Sequence, residues 1–336
     1  MDETPTDSAG ADLTDALKQK ARELGADDVA VAAVARWADP PPFDSQAVPV
    51  YPHSGQLPTE LMPSSQSVVM VAIRLLDGVL DTTTTPVKNT GVQGNFGYVF
   101  PNRRLNEITF GLAQWLECHG QRSVPMGYNI GSRYDHRADS DASIIAPAYG
   151  MFSMKRAAVL AGLGRKAKNG LVSHPHFGTR IRLGGLLTAA ALKESPLLQG
   201  DPCPPSCRIC MEVCPTEAIS RGGRVSHLRC YADAGRRGMD FETLRAGFKQ
   251  RYPSDLGHED YTTNDYLAIE GNDNRICKIA CVAFCPLGER PLPDIMRRVS
   301  DFADVVPPVE LQGFPPAQDF GAQTADGPAP EQAGEV

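Results

Sequence analysis

The placement of cysteine constrains this chain more than any other feature. Eight of its nine cysteines lie beyond residue 200. Cys203, Cys207, Cys210 and Cys214 sit in CPPSCRICMEVCP; Cys277, Cys281 and Cys285 sit in CKIACVAFCP; Cys230 stands alone between them. Each group closes as Cys-x3-Cys-Pro. In a reducing compartment clustered thiols bind metal more often than they form disulfides, so the two groups read as ligand loops rather than as a disulfide framework.

The closing pattern is that of the bacterial ferredoxin run, in which the proline-flanked cysteine ligates the other cluster. A cubane needs thiolates that converge from several directions, three from one tight loop and the fourth from a distant segment. Eight thiolates then make two [4Fe–4S] clusters. Cys203, Cys207, Cys210 and Cys285 are expected at one, and Cys214, Cys230, Cys277 and Cys281 at the other. The apolar residues between the ligands (Ile209, Met211, Val213; Ile279, Val282, Phe284) suit packing around a cluster. Two structural zinc sites are the alternative, because zinc ligands also come as closely spaced cysteine pairs. Both groups open with Cys-x3-Cys, one residue longer than the usual Cys-x2-Cys, which leaves Cys203 and Cys277 the least constrained ligands. Cys118 falls in a helical pattern and reads as a small buried hydrophobe.

The rest of the chain is ordinary for a globular protein. It has 336 residues and a formal charge of −7, which disfavours a large nucleic-acid footprint. The acidic N-terminus carries no basic n-region, apolar h-region or twin arginine. No run approaches the roughly 20 apolar residues a membrane helix needs. A cytoplasmic protein with no membrane association is expected.

Residues 12–24 space leucines and alanines as a helix stopped by Gly25, and DDVAVAAV follows as a strand. SVVMVAIRLL is a β-branched apolar run of buried-strand type, RRLNEITFGLAQWLECHG a helix, and RSVPMG a strand. Residues 153–164 read as a helix with a glycine-rich end, and NGLVSHPHFG and TRIRLGGLLTAAAL as two strands joined by a turn. This order predicts a mixed α/β layer with long loops that cover a ligand. Residues 1–12 and 303–336 read as tails without a core.

A cluster carrier alone needs far less chain than the 200 residues before the cysteines. AAVLAGLGRKAKNGLVSHPHFGTRIRLGGLLTAAAL, followed by the run ending in CPTEAI, resembles the shared segment of the epoxyqueuosine reductases and reductive dehalogenases. LRCYAD is similar to the lone-cysteine position of the former. Weaker similarity runs through ARELGADDVAVAAV, LMPSSQSVVMVAIRL and RRLNEITFGLAQWLECHG. The resemblance implies an α+β fold: a nitroreductase-like, cobalamin-binding domain over residues 13–198, then a ferredoxin-like domain with two [4Fe–4S] clusters over 199–302. It implies base-off cobalamin reduced by electrons relayed through the clusters. No Asp-x-His-x-x-Gly motif is present to supply a lower ligand, which both families also do without.

Reductive cleavage needs a proton donor. The aspartate that the epoxyqueuosine reductases place shortly before AGLG is absent from SIIAPAYGMFSMKRAAVLAGLG, whose aligned position is Ala148. By analogy with the dehalogenases, Tyr149 is the first candidate acid, with Tyr134 and Asp141 as alternatives. A phenol with a pKa near 10 needs a cation to stabilise its phenolate, and Lys155, Arg156 or Arg133 can supply one. Arg180 and Arg182 suit cofactor phosphate or amide groups, or solvent. Gly162, Gly164, Gly184 and Gly185 allow close approach to a flat cofactor, or simply tight packing. His174 and His176 read as a metal pair or as part of a strand-to-turn segment.

The expected function is a reductase that cleaves a small organic substrate by dehalogenation or deoxygenation, fed by an external donor such as a ferredoxin or flavodoxin. Action on tRNA as an epoxyqueuosine reductase is the alternative. An electron-transfer or corrinoid-activating protein with no substrate of its own is another.

Overall fold

In a computed structural model the described residues are 7–38, 57–84, 91–128, 152–220, 225, 279–289 and 292–305. Helix α1 (Asp7–Glu23) ends at Gly25, whose φ of +101° reverses the chain into β1 (Asp28–Ala33). β2 (Ser67–Arg74) follows, then α2 (Phe100–Cys118), entered through a π-helical turn at Asn95–Val99. β3 (Ser123–Gly127), α3 (Met154–Leu160), the two-residue strands β4 (Arg165–Lys166) and β5 (Val172–Ser173), and β6 (Ile181–Thr188) complete the layer.

β1, β2, β6 and β3 form one sheet in that order, antiparallel throughout. The period-2 alternation of the strands sends side chains to both faces. Val29, Val31, Val69, Val71 and Leu186 pack under α1 and α2, against Leu17, Leu105, Ile108, Leu112 and Leu116. Ala30, Ala32, Val68, Met70 and Leu187 face α3, with Ala157, Ala158 and Leu160. Both faces are covered, which is why β2 reads as a continuous apolar run. Each fully buried leucine contributes about 1.5–3 kcal/mol.

Two expectations need correction. NGLVSHPHFG is not a strand beside β6: only Val172 and Ser173 are extended, and they pair with Lys166 and Arg165. His174 instead closes a tight turn through a bridge to Gly178. Cys118 is exposed, not buried. At the last position of α2 it lies off the stripe formed by Leu105, Ile108, Leu112 and Leu116.

A third core lies downstream. Short helices α4 (Ile209–Glu212) and α5 (Ala280–Ala283) carry the two cysteine groups, and α6 (Leu292–Val305) packs beside them. Ile209, Val213, Ala280, Ala283 and Phe284 join Ile295 and Phe302 of α6 and Leu75 and Leu80 beyond β2. Ile279 and Val282 are partly buried against this core.

Candidate functional site: a four-thiol pocket

Cys203, Cys207, Cys210 and Cys285 line one pocket, together with Ala167, Lys168, Asn169, Pro286 and Leu287. Three of the thiols come from the loop that leads into α4, and the fourth comes from the segment after α5. Burial pushes the Cys210 thiol up to about 12, and Cys285, Cys207 and Cys203 add to the rise in that order. Cys203 is raised too, first by burial, although the Lys168 amide works against it. Cys203 and Cys210 thus resist ionisation on their own, and a cationic centre beside them removes that resistance.

Among the described residues, no group of three or more His, Cys, Asp or Glu converges closely enough to hold a single metal ion. The four cysteines share the lining of one small pocket.

The sheet layer holds the fourth thiol in place. Arg180 is buried and donates from Nη1 to the carbonyls of Cys285 and Leu287, each at 2.9 Å. The 174–178 turn docks on the same segment, with Glu289 donating its amide to the His176 carbonyl at 3.1 Å. Gly178 has φ +59°, and a Cβ there would stand 2.2 Å from the Leu287 carbonyl oxygen. Only glycine tolerates both conditions.

The turn has its own support. His174, 2% exposed, places Nε2 2.8 Å from Asp28 Oδ2. Its Nδ1 accepts the amides of His176 at 3.1 Å and Phe177 at 3.4 Å, which assigns the proton to Nε2. His176 is exposed and faces Glu289 at 3.5 Å. The two histidines serve the turn.

Cys214 does not line the pocket. Its sulfur accepts the Ala218 amide at 3.2 Å and lies 3.7 Å from Thr216 Oγ1. The carbonyl of Cys281 accepts from Asn169 Nδ2 at 2.9 Å. Ile279, two residues before Cys281, has φ +55°, a left-handed conformation that a β-branched residue rarely adopts. Cys230 and Cys277, expected beside Cys214 and Cys281, lie outside the described residues, as do Tyr149, Tyr134, Asp141 and Arg133.

The residues expected to hold cobalamin do not form a cradle. Lys155 donates to the Gly170 carbonyl at 2.9 Å, and Arg180 serves Cys285. Arg156 lies in α3, capped by Ser153 Oγ accepting its amide. A Cβ on Gly162 would meet the Pro196 carbonyl oxygen at 2.0 Å, and one on Gly164 would meet Val172 at 2.4 Å. Gly184 packs against Gly127 and Leu105, and Gly185 against Met70. Protein atoms fill the space these four glycines open. Arg182 stacks over Tyr98 at 4.1 Å and donates to Asn102 Oδ1 at 2.9 Å, while Asn102 Nδ2 is buried without a partner. A wider surface groove beside β3, lined by Leu61, Met62 and Arg122 among others, contains none of the cysteines.

Sequence reasoning missed Lys168, Asn169 and Asp28. The available signal for the first two was RKAKNG, whose closing Asn-Gly marks a turn.

An epoxyqueuosine reductase from Synechococcus sp. (strain RCC307) is 30% identical over 238 residues, which cover 66% of this chain and 66% of that protein. The chain is similar to the epoxyqueuosine reductases. A second relative, an epoxyqueuosine reductase from Staphylococcus aureus (strain NCTC 8325 / PS 47), is 37% identical over 82 residues, 24% of this chain and 21% of that protein. The matches thus span from about a fifth to just under two thirds of these relatives' own length. No protein-family model matches the chain. Among solved structures, an epoxyqueuosine reductase with an epoxyqueuosine-modified tRNA-Tyr stem loop aligns at a TM-score of 0.48 and 16% identity, over 88% of this chain and 90% of that one.

Proposed function

We propose that this chain is an iron–sulfur reductase, in which Cys203, Cys207, Cys210 and Cys285 hold one [4Fe–4S] cluster, and Cys214, Cys230, Cys277 and Cys281 a second. The observation that carries the reading is the convergence of four thiols, from two segments far apart in the chain, on one buried pocket. A bound cluster supplies one-electron transfer at low potential. The chain's own residues orient the thiols, exclude water with Phe284, Ile209 and Val213, and hold the backbone of the second segment through Arg180.

Reductive dehalogenation takes two electrons and one proton: the carbon–halogen bond breaks, a carbon–hydrogen bond forms and halide leaves. Deoxygenation of an epoxide takes two electrons and two protons: both carbon–oxygen bonds break, a carbon–carbon double bond forms and the oxygen leaves as water. The electrons come from an external donor of ferredoxin or flavodoxin type. Tyr149 is the proposed proton source, with Tyr134 and Asp141 as alternatives. Cobalamin is part of what the superfamily resemblance implies, but the described residues provide no cradle for it, so no step is assigned to it.

A small organic molecule and an epoxide-bearing tRNA are both open as substrate. Relatives named epoxyqueuosine reductase support the tRNA reading, against the expectation from the acidic net charge that nucleic acid is disfavoured. Anaerobic purification with added cobalamin, followed by iron, zinc and cobalt counting and EPR, tests the reading. About eight irons per chain supports it; one zinc per four cysteines overturns it. Turnover of a modified stem loop or of an organohalide then separates the substrates.

A further inference from the structure

The hairpin tip between β4 and β5 touches both cysteine groups at once. The amide of Lys168 donates to Cys203 Sγ at 3.3 Å. Its ammonium reaches the carbonyls of Pro204 and Pro205 at 2.9 Å each and that of Cys207 at 3.2 Å. The next residue, Asn169, is 6% exposed; its Nδ2 holds the Cys281 carbonyl, and its Oδ1 accepts the Leu171 amide at 3.2 Å. Lys168 and Asn169 also line the four-thiol pocket itself. One cation and one amide side chain, adjacent in sequence, therefore grip the backbone on both sides of the site.

Their chemistry differs. Asn169 is neutral, so it fixes position without adding charge. Lys168 brings a fixed positive charge and an N–H···S bond, the two features by which a protein raises the potential of a thiolate-held cluster. One-electron reduction breaks no bond and adds one negative charge to the centre, so a nearby cation favours the reduced form. Asp201 is the acidic group facing the same loop, and its carboxylate is engaged by the Cys203 amide at 2.8 Å.

We propose that Lys168 and Asn169 are positioning residues of the four-thiol site, and that Lys168 raises the reduction potential of the cluster bound there. This deepens the iron–sulfur reading and rests on it. The test is an EPR-monitored titration of the full, anaerobically reconstituted chain with dithionite, comparing the unaltered protein with Lys168→Met, Lys168→Arg and Asn169→Ala. Lys168→Met is expected to retain its iron while the midpoint of one cluster falls. At the original midpoint the reduced-to-oxidised ratio drops about tenfold, a shift of about 59 mV for a one-electron couple. Lys168→Arg is expected to restore most of that shift. Asn169→Ala is expected to lower iron occupancy and broaden the EPR signal without moving the midpoint in parallel with Lys168→Met.

Full iron and unchanged midpoints in Lys168→Met overturn the inference and leave the iron–sulfur reading intact. If Lys168→Met loses iron, Lys168→Arg decides: iron and potential retained support the role of charge, and iron lost again overturns it. An unaltered chain that takes up zinc and no iron–sulfur cluster sinks both.

Discussion

The guanidinium of Arg180 donates to the carbonyl of Cys285 at 2.9 Å, across 105 positions of sequence. The same nitrogen holds Leu287, so one buried side chain fixes the segment on both sides of Pro286. Arg180→Met leaves both carbonyls without this donor. Its expected cost is about 3 kcal/mol, the scale of hydrogen bonds to a charged group, together with loss of up to half the iron. Chemical denaturation and an iron count check this. Arg180→Lys is expected to rescue only partly, because an ammonium does not reproduce the planar fork.

Asp28 provides the acid limb of stability. Burial opposes its ionisation, but hydrogen bonds from His174 and the Val29 amide outweigh burial and lower its pKa. A lowered folded pKa stabilises the fold above the unfolded value near 3.9, and that contribution is lost as pH falls through the folded value. Asp28→Asn should therefore unfold more readily than the parent at neutral pH, with the difference closing below about pH 4. Thermal melts across pH 3–7 read this out, and a difference that persists unchanged at the acid end counts against it.

Phe284 sits between the cysteine groups and α6, 1% exposed, with its ring 5.1 Å from that of Phe302. Phe284→Ala is expected to cost about 3–5 kcal/mol. Because Phe284 precedes Cys285 and belongs to the core against which Cys207 packs, cluster absorbance is expected to bleach faster in air. A variant that loses stability but not oxygen resistance would separate the two roles.

The two kinds of cysteine should behave oppositely. Cys118 is exposed at the end of α2, so Cys118→Ser is expected to change stability by less than about 0.5 kcal/mol and leave iron content alone. Cys210→Ser removes a thiol from the pocket and should cost one cluster. Parallel iron counts on the two variants decide the matter.

Much of the sheet layer could be read from sequence. β1, β2 and α2 announce themselves because their apolar periods match burial on one or both faces. The segment 171–178 was misread because its β-branched start and paired histidines look extended. A long-range bond from His174 to Asp28, together with two amides on the ring's other nitrogen, folds it into a turn instead. Cys118 was misplaced because helical spacing alone does not say where the buried stripe ends. The four-thiol grouping was legible from the Cys-x3-Cys-Pro closures. Lys168 and Asn169 were not, since a lysine and an asparagine in a turn look solvated until their distant carbonyl partners are known. Arg180 reads in sequence as a ligand for cofactor phosphate or amide groups, or as solvated, whereas it is buried against the Cys285 and Leu287 carbonyls with Asp77 at 3.9 Å.

The β4–β5 hairpin also bears on how such a site is born. Its docking residues, Lys168 and Asn169, leave the ribosome before either cysteine group does, and domains generally fold from the N-terminal side during synthesis. The sheet layer can thus offer a finished template to which the first cysteine loop anneals, and which then waits for the second. Closing so long a connection costs only slowly more with length, so a distant fourth ligand is tolerable once the template exists. On the proposed iron–sulfur reading, metal loading would be the last event of biogenesis, a checkpoint that a chain with a damaged hairpin would fail even with all its ligands intact.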